Sequence, residues 1–299
     1  MTIGVAEREM AEAIGRQGWL EPVDQALGQA VSTAFDSTGP AGRQVQNFLH
    51  GTWLGHQLHP VLTDVPIGAW TTAAVLDTLE SLGHDELGPG ADAAVGLGLV
   101  GAAGAAVSGL TDWSATDGRA RRQGLVHGLL NVGVVLLYLI SFVLRRNGNR
   151  PAGRSVGFLA YSIANVSAYI GGHLISGEQI GVDHVLEPSV EYRYTPVMAE
   201  AELPENTPKR AELDGVPLVL VRQEGRVYAL AETCAHLGGP LAEGTLEGAS
   251  IRCPWHGSRY ALADGRVLDG PSTWDQPCFV ARVRDGQIEV RGDRPRRDD

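Results

Sequence analysis

The sequence predicts an α plus β chain of two domains, a four-helix transmembrane bundle followed by an all-β domain of antiparallel strands. Three observations predict it. Residues 61–176 are apolar and rich in small residues, whereas both ends are polar and charged. Two runs, Leu125–Leu144 and Ser155–Ser176, carry no Asp, Glu, Lys or Arg, and each matches the roughly 20 apolar residues that a bilayer core requires of a helix. From Tyr192 onward, short Val- and Leu-rich runs alternate with Asp-Gly and Glu-Gly pairs, the pattern of strands joined by tight turns.

The elements follow in order. Residues 1–47 read as an amphipathic helical lead-in, with Leu20, Val23, Leu27 and Val31 at helical spacing and a break at Thr38–Gly42. This stretch is too polar to span a membrane and is expected to pack as a surface helix on the domain after it. Residues 48–176 hold four apolar segments, at about Pro60–Leu79, Ala91–Leu110, Leu125–Leu144 and Ser155–Ser176. In the second, Gly101, Ala105 and Gly109 lie four apart, as do Gly104 and Ser108, and such spacing lets membrane helices approach closely. The first contains Asp64, Pro66 and Asp77, which belong inside a bundle rather than against lipid. A soluble bundle of unusually apolar helices is the alternative reading.

Residues 177–191 read as a linker containing Gly and Pro, and 192–292 as the β-domain. Strands are expected at Val216–Val221, Arg226–Ala231, Ser250–Cys253, Phe279–Arg284 and Gln287–Val290. Turns fall at Asp214-Gly215, Glu224-Gly225, Asp264-Gly265 and Asp285-Gly286. The charged tail, 293–299, is expected to be disordered.

The formal net charge of −11 argues against nucleic acid as a partner, because phosphate binding needs clustered Lys and Arg. Of the three cysteines, Cys278 has no evident mate, which excludes a disulfide framework. Residues 1–20 carry Glu7, Glu9 and Glu12 and no apolar stretch of a secretory signal.

The chemistry is concentrated in two short blocks. Cys234-Ala-His236 is followed, after sixteen intervening residues, by Cys253-Pro-Trp-His256. One Cys and one His on each of two loops suit a cluster in which one iron takes two thiolates and the other two imidazoles. Gly238, Gly239 and Gly257 let the loops fold tightly around it. A Cys2His2 zinc site is the rival reading, and the Pro within Cys-Pro-Trp-His speaks against it.

These blocks, Cys234-Ala-His236-Leu-Gly-Gly-Pro240-Leu and Cys253-Pro-Trp-His256-Gly-Ser-Arg-Tyr260, resemble the Rieske family. Gly270-Pro271 is similar to the third, proline-containing loop that covers the cluster there. The resemblance implies a [2Fe–2S] cluster held by Cys234, His236, Cys253 and His256, and a one-electron carrier. The respiratory branch has an extra disulfide-forming cysteine in each loop. Here those positions are Gly239 and Trp255, as in the ferredoxin and oxygenase branch. Ser258 and Tyr260 nevertheless match the hydroxyl pair that hydrogen-bonds the cluster in the high-potential branch; the other reading makes them ordinary polar loop residues. A terminal oxygenase is disfavoured, because the chain after about Gly292 leaves no room for a mononuclear iron domain.

Residues 48–176 resemble an uncharacterised family of four-helix membrane domains, through Gly55-His-Gln-Leu-His59-Pro60-Val-Leu-Thr-Asp64-Val-Pro66-Ile-Gly68. Threading four spans puts His59, His127 and His173 on one side of the membrane, with Asp64 and Asp112 at the same level and both termini on that side. Buried histidines on facing helices suit haem b, another metal or a quinone; the alternative is interfacial helix-end histidines in contact with water and carbonyls. The expected protein is therefore an integral membrane electron carrier contacting the lipid bilayer. Its redox donor and acceptor are of the class of a quinol, a ferredoxin reductase or a cytochrome. A quinol- or haem-linked oxidoreductase and a membrane redox sensor are the alternatives. The short-loop Arg counts nearly tie, and the cytoplasmic side is slightly favoured for the β-domain by the missing disulfide and missing signal.

Overall fold

The computed structural model describes residues 9, 11–185 and 190–292; the tail at 293–299 and part of the linker lie outside these. The chain divides into two compact units, one of residues 1–49 with 57–180 and one of residues 50–56 with 181–299.

The first unit is helical. After a helical turn at residues 11–15 come α1 (Glu21–Asp36), α2 (Gly39–His50), α3 (Leu58–Ser81), α4 (Gly88–Ser114), α5 (Gly118–Arg146) and α6 (Arg150–Ser176). The last four form the bundle: α3 packs on α4, α4 on α5, α5 on α6, and α6 closes the ring on α3. Trp70 and Tyr138 stack at its centre, with ring centroids 4.2 Å apart, among Ala73, Val95, Ala102, Val134 and Ala160. The small residues of α4 permit this. A Cβ added at Gly98 would lie 2.1 Å from Trp70 Nε1, one at Gly101 2.6 Å from Val65, and one at Gly109 2.6 Å from His59.

Three of these four helices, α4, α5 and α6, are long and apolar enough to cross a membrane. The remaining helix of the four expected spans, α3, falls short of that apolarity, because its acidic residues lower its hydropathy. Asp77 and Glu80 are buried in the bundle, whereas Asp64, expected inside, is exposed. Asp77 receives both ends of the Arg145 guanidinium, at 2.7 and 2.5 Å, and Arg145 is wholly buried. Arg150 joins Glu80 and Asp92, and Arg154 adds a contact to Glu80 at 3.4 Å. Outside, α3 to α6 present Ile67, Val75, Leu97, Val100, Leu129, Val132, Leu136 and Val166, all half or more exposed, as helices bathed in hydrocarbon would.

The lead-in departs from its expected packing. The break is only Ser37 and Thr38, because α2 already starts at Gly39, with Pro40 in a first turn that leaves its missing N–H without cost. Of the four apolar positions expected on this helix, only Leu20, in the turn just before α1, is buried; Val23 and Leu27 are exposed and Val31 is half-buried. The helix docks through Asp24 and Gly28 instead, both against Arg121.

The second unit is β. A six-stranded sheet runs β1 (Thr195–Ala199), β10 (Gln287–Gly292), β9 (Cys278–Arg284), β4 (Arg226–Ala231), β3 (Val216–Gln223), β2 (Lys209–Leu213), every pair antiparallel. A four-stranded sheet runs β5 (Thr245–Leu246), β6 (Ser250–Arg252), β7 (Arg259–Ala261), β8 (Val267–Asp269), also antiparallel. The turns at Asp214-Gly215, Glu224-Gly225 and Asp285-Gly286 have both residues at positive φ, the two-residue hairpin geometry that the sequence pairs signal. The expected strands stand with ends shifted by at most two residues. Five more, β1, β2, β5, β7 and β8, were not anticipated, since they run two to five residues and carry too little alternation to read.

Candidate metal centre

Two loops of the second unit carry the Cys and His pairs. The first leaves β4 and contains Cys234 and His236; the second joins β6 to β7 and contains Cys253 and His256. Each is a tight turn closed on its cysteine. Gly238 donates its N–H to the Cys234 carbonyl at 2.9 Å, and Cys234 donates to the Gly239 carbonyl at 2.8 Å. In the second loop Gly257 donates to the Cys253 carbonyl at 3.2 Å, and Cys253 to the Ser258 carbonyl at 2.8 Å. Gly238 and Gly257 stand at φ +77° and +82°, which a side chain would resist. Gly239 is needed for space: a Cβ there would lie 2.8 Å from Cys253 Sγ.

The loops set the two expected imidazoles against each other and the two expected thiols against each other. The imidazoles of His236 and His256 have centroids 5.0 Å apart at 79°. Cys234 and Cys253 are buried, and the interaction between their sulfurs holds Cys234 well above the usual thiol range and pulls Cys253 down to about 7. Burial keeps His236 well below the ordinary imidazole range, an effect reinforced by the neighbouring His256, His50 and His184. Its ring is therefore neutral at pH 7, with a lone pair to give. His236 Nδ1 is buried and has no hydrogen-bond partner, a costly arrangement for a polar atom unless a metal takes the lone pair. Among the described residues no three His, Cys, Asp or Glu side chains converge on one point, as a single zinc ion requires. Two thiolates for one iron and two imidazoles for the other need no such convergence, so the donor set fits a [2Fe–2S] cluster.

Further residues brace the site. The Tyr260 hydroxyl lies 3.2 Å from Cys234 Sγ. Tyr260 is fully buried, and that burial keeps its phenol protonated far beyond neutral pH. Ser258, also fully buried, accepts the Ser272 N–H at 3.0 Å and so ties the second loop to the third. Sequence reasoning missed Gln276. Its amide donates to the Ala231 and Thr233 carbonyls at 2.9 and 2.6 Å and accepts from the Ala235 N–H at 3.1 Å, pinning the first loop from inside. No spacing motif marks a lone glutamine. The chain segments flanking the bundle contribute as well. His184 donates its N–H to the Ala235 carbonyl at 3.1 Å, and a Cβ at Gly270 would lie 3.0 Å from the fully buried His50. Trp255, beside His256, is 55% exposed, and His256 is half-buried where His236 is buried, so the second loop is the more exposed of the two.

The three helical histidines all turn toward protein. His59 Nδ1 is 2.8 Å from the Ala105 carbonyl of α4. His127 Nδ1 is 2.9 Å from the Ser167 carbonyl of α6, and its Nε2 accepts from Asn131 Nδ2 at 3.1 Å. His127 and His59 are close enough to interact electrostatically. His173 faces Glu178 at 3.9 Å, and Glu178 also holds Arg119 at 2.9 Å.

Comparison with known proteins agrees with this geometry. The Rieske [2Fe-2S] domain family matches residues 193–290, and the predicted membrane protein family DUF2231 matches residues 55–187. Ferredoxin CarAc of Metapseudomonas resinovorans is 32% identical over 99 residues, which are 33% of this chain and 92% of that protein. The ferredoxin component of the naphthalene 1,2-dioxygenase system of Pseudomonas aeruginosa is 28% identical over 98 residues, 33% of this chain and 94% of that protein. Human apoptosis-inducing factor 3 is 26% identical over 119 residues, 40% of this chain but only 20% of that protein. With its paired Cys-His loops and its ferredoxin relatives, the chain belongs to the Rieske [2Fe–2S] family of electron carriers, joined here to a DUF2231 membrane domain.

Proposed function

We propose that the protein is a membrane-anchored Rieske carrier that passes single electrons at the membrane surface. The observation that carries this is the paired Cys-His loop geometry with its buried, unpartnered His236 Nδ1. Cys234 and Cys253 hold one iron, and His236 and His256 the other. The cluster, when bound, supplies reversible one-electron chemistry at about −150 to +300 mV, the range that imidazole ligation gives. The protein's own residues set the conditions for it. Gly239 and the turn glycines close the loops, Gln276 stiffens the first, and Tyr260 offers a hydroxyl to the Cys234 sulfur. Exposed Trp255 beside His256 marks the side on which a redox partner approaches. Iron-loaded, reduced protein is expected to show the low-average-g EPR signal of mixed Cys and His ligation; a zinc-filled, iron-free preparation from iron-replete anaerobic growth refutes the assignment.

A second reading adds a quinone or haem site at His59 and His127, favoured by the inward turn of both rings within one bundle. A Soret band in the purified protein, or reduction of the cluster by added quinol that His127→Ala abolishes, supports it; absence of both removes it.

A further inference from the structure

We infer that α1 is an interfacial helix whose exposed apolar face lies in the lipid surface beside the bundle. The inference rests on the reading of the bundle as membrane-spanning. At about 100° per residue, all but Pro22 and Thr33 of α1, with Leu20 before it, sort into three faces. Leu20, Asp24 and Gly28 are buried, with Val31 and Phe35 half-buried beside them, and form the protein face. Val23, Ala26, Leu27, Ala30 and Ala34 are exposed and apolar, and Trp19 extends the same stripe at 72% exposure. Glu21, Gln25, Gln29, Ser32 and Asp36 are exposed and polar. The centres of the three faces lie about a third of a turn apart. A helix lying along a bundle at a water–lipid boundary meets those three surroundings: protein, lipid and water.

The docking contacts set its depth. Arg121 bonds the Asp24 carbonyl at 3.1 Å and its carboxylate at 3.6 Å, and occupies the space a Cβ at Gly28 would need. Arg122 donates to the Gly15 carbonyl at 2.8 Å, and Gln123 to the Ala11 carbonyl at 2.9 Å. All three anchors sit in the first turns of α5, directly before the uncharged run Leu125–Leu144. That is where a span leaves the headgroup region. Trp113, whose indole donates to the Arg121 carbonyl at 2.7 Å, marks the same level, as tryptophans at membrane boundaries do. Lys and Arg are absent from α1, so the attachment is apolar and does not require anionic lipid.

The test uses the full-length, iron-loaded protein carrying Cys278→Ser, in nanodiscs of pure phosphatidylcholine. Nitroxide labels are placed singly through Val23→Cys, Leu27→Cys, Gln25→Cys and Gln29→Cys, and through Leu136→Cys on the outer face of α5. Visible absorbance of the cluster verifies each fold. Collision with lipid-soluble oxygen is compared with collision with a water-soluble nickel chelate. The ratio is expected to shift toward oxygen at 23 and 27, toward nickel at 25 and 29, and strongly toward oxygen at 136. Equal nickel access at all four α1 positions, with 136 still in lipid, overturns the inference and leaves the membrane reading standing. Nickel access at 136 overturns the membrane reading itself, and the inference with it.

Discussion

At the residue scale, the centre depends on atoms that are costly to bury without their partners. His236 Nδ1, the two cysteine sulfurs and the Tyr260 hydroxyl are all withdrawn from water. A hydroxyl 3.2 Å from a ligand sulfur stabilises the reduced, more negative state over the oxidised one. Tyr260→Phe is therefore expected to lower the reduction potential by on the order of tens of millivolts, given that about 59 mV corresponds to a tenfold change in a one-electron equilibrium. Protein-film voltammetry checks this; an unchanged potential with the cluster intact shows that Tyr260 does not donate to the sulfur. Gln276→Leu would leave the Ala235 N–H and two carbonyls unpaired, at about 1–3 kcal/mol for each buried group. It is expected to speed cluster loss to a chelator, followed by bleaching of the visible bands; an unchanged rate would show that the first loop needs no such brace.

At the scale of elements, the bundle is tied at one end by charge and elsewhere by close contact. The Arg145–Asp77 pair crosses from α5 to α3 with no exposed arginine surface. Two charges so placed are a weak source of net stability, but removing one strands the other, at about 3–5 kcal/mol. Arg145→Met is expected to lower the temperature at which the detergent-solubilised protein aggregates, while Asp77→Leu combined with Arg145→Met recovers part of the loss. An Arg145→Met protein as heat-stable as the parent contradicts a structural role for the pair. The same pairing explains why the arginines at the end of α5 and the start of α6 are poor guides to orientation. Arg145, Arg150 and Arg154 face Asp77, Glu80 and Asp92 instead of standing as free positive charge.

At the scale of the molecule, the β-unit is assembled from two stretches of chain separated by the whole bundle, residues 50–56 and 181–299. The earlier stretch brings His50 against Gly270 of the third loop. A fragment beginning at residue 181 retains every strand but lacks that cover. Its cluster is expected to bleach in air faster than that of the full chain, measured by loss of visible absorbance. Equal lifetimes show that residues 50–56 only connect the units.

How much of this was legible in advance follows from the range over which each feature is specified. The two loops are local: a Cys, a His and the turn glycines fall within each short block, so the matched Cys234/His236 and Cys253/His256 pairs proposed to hold the cluster were readable from the sequence. Hairpins announced by Asp-Gly and Glu-Gly pairs were readable for the same reason, as was the close approach of helices at Gly101, Ala105 and Gly109. Gln276 and His50 were not, because a buried polar side chain gains its meaning only from partners many residues away. Nor was the face by which α1 docks: periodicity shows that Val23 and Leu27 share a side, but not whether protein or something else covers it. The buried ion pairs of α3 belong to the same class. The sequence by itself determined which segments are apolar, where the turns fall and which Cys and His residues share the two matched loops, since these are properties of neighbouring residues. Only the tertiary structure decided which charges are neutralised inside the bundle, which apolar faces stay outside and which distant side chains brace the cluster loops, because burial and pairing are set by what packs against a residue.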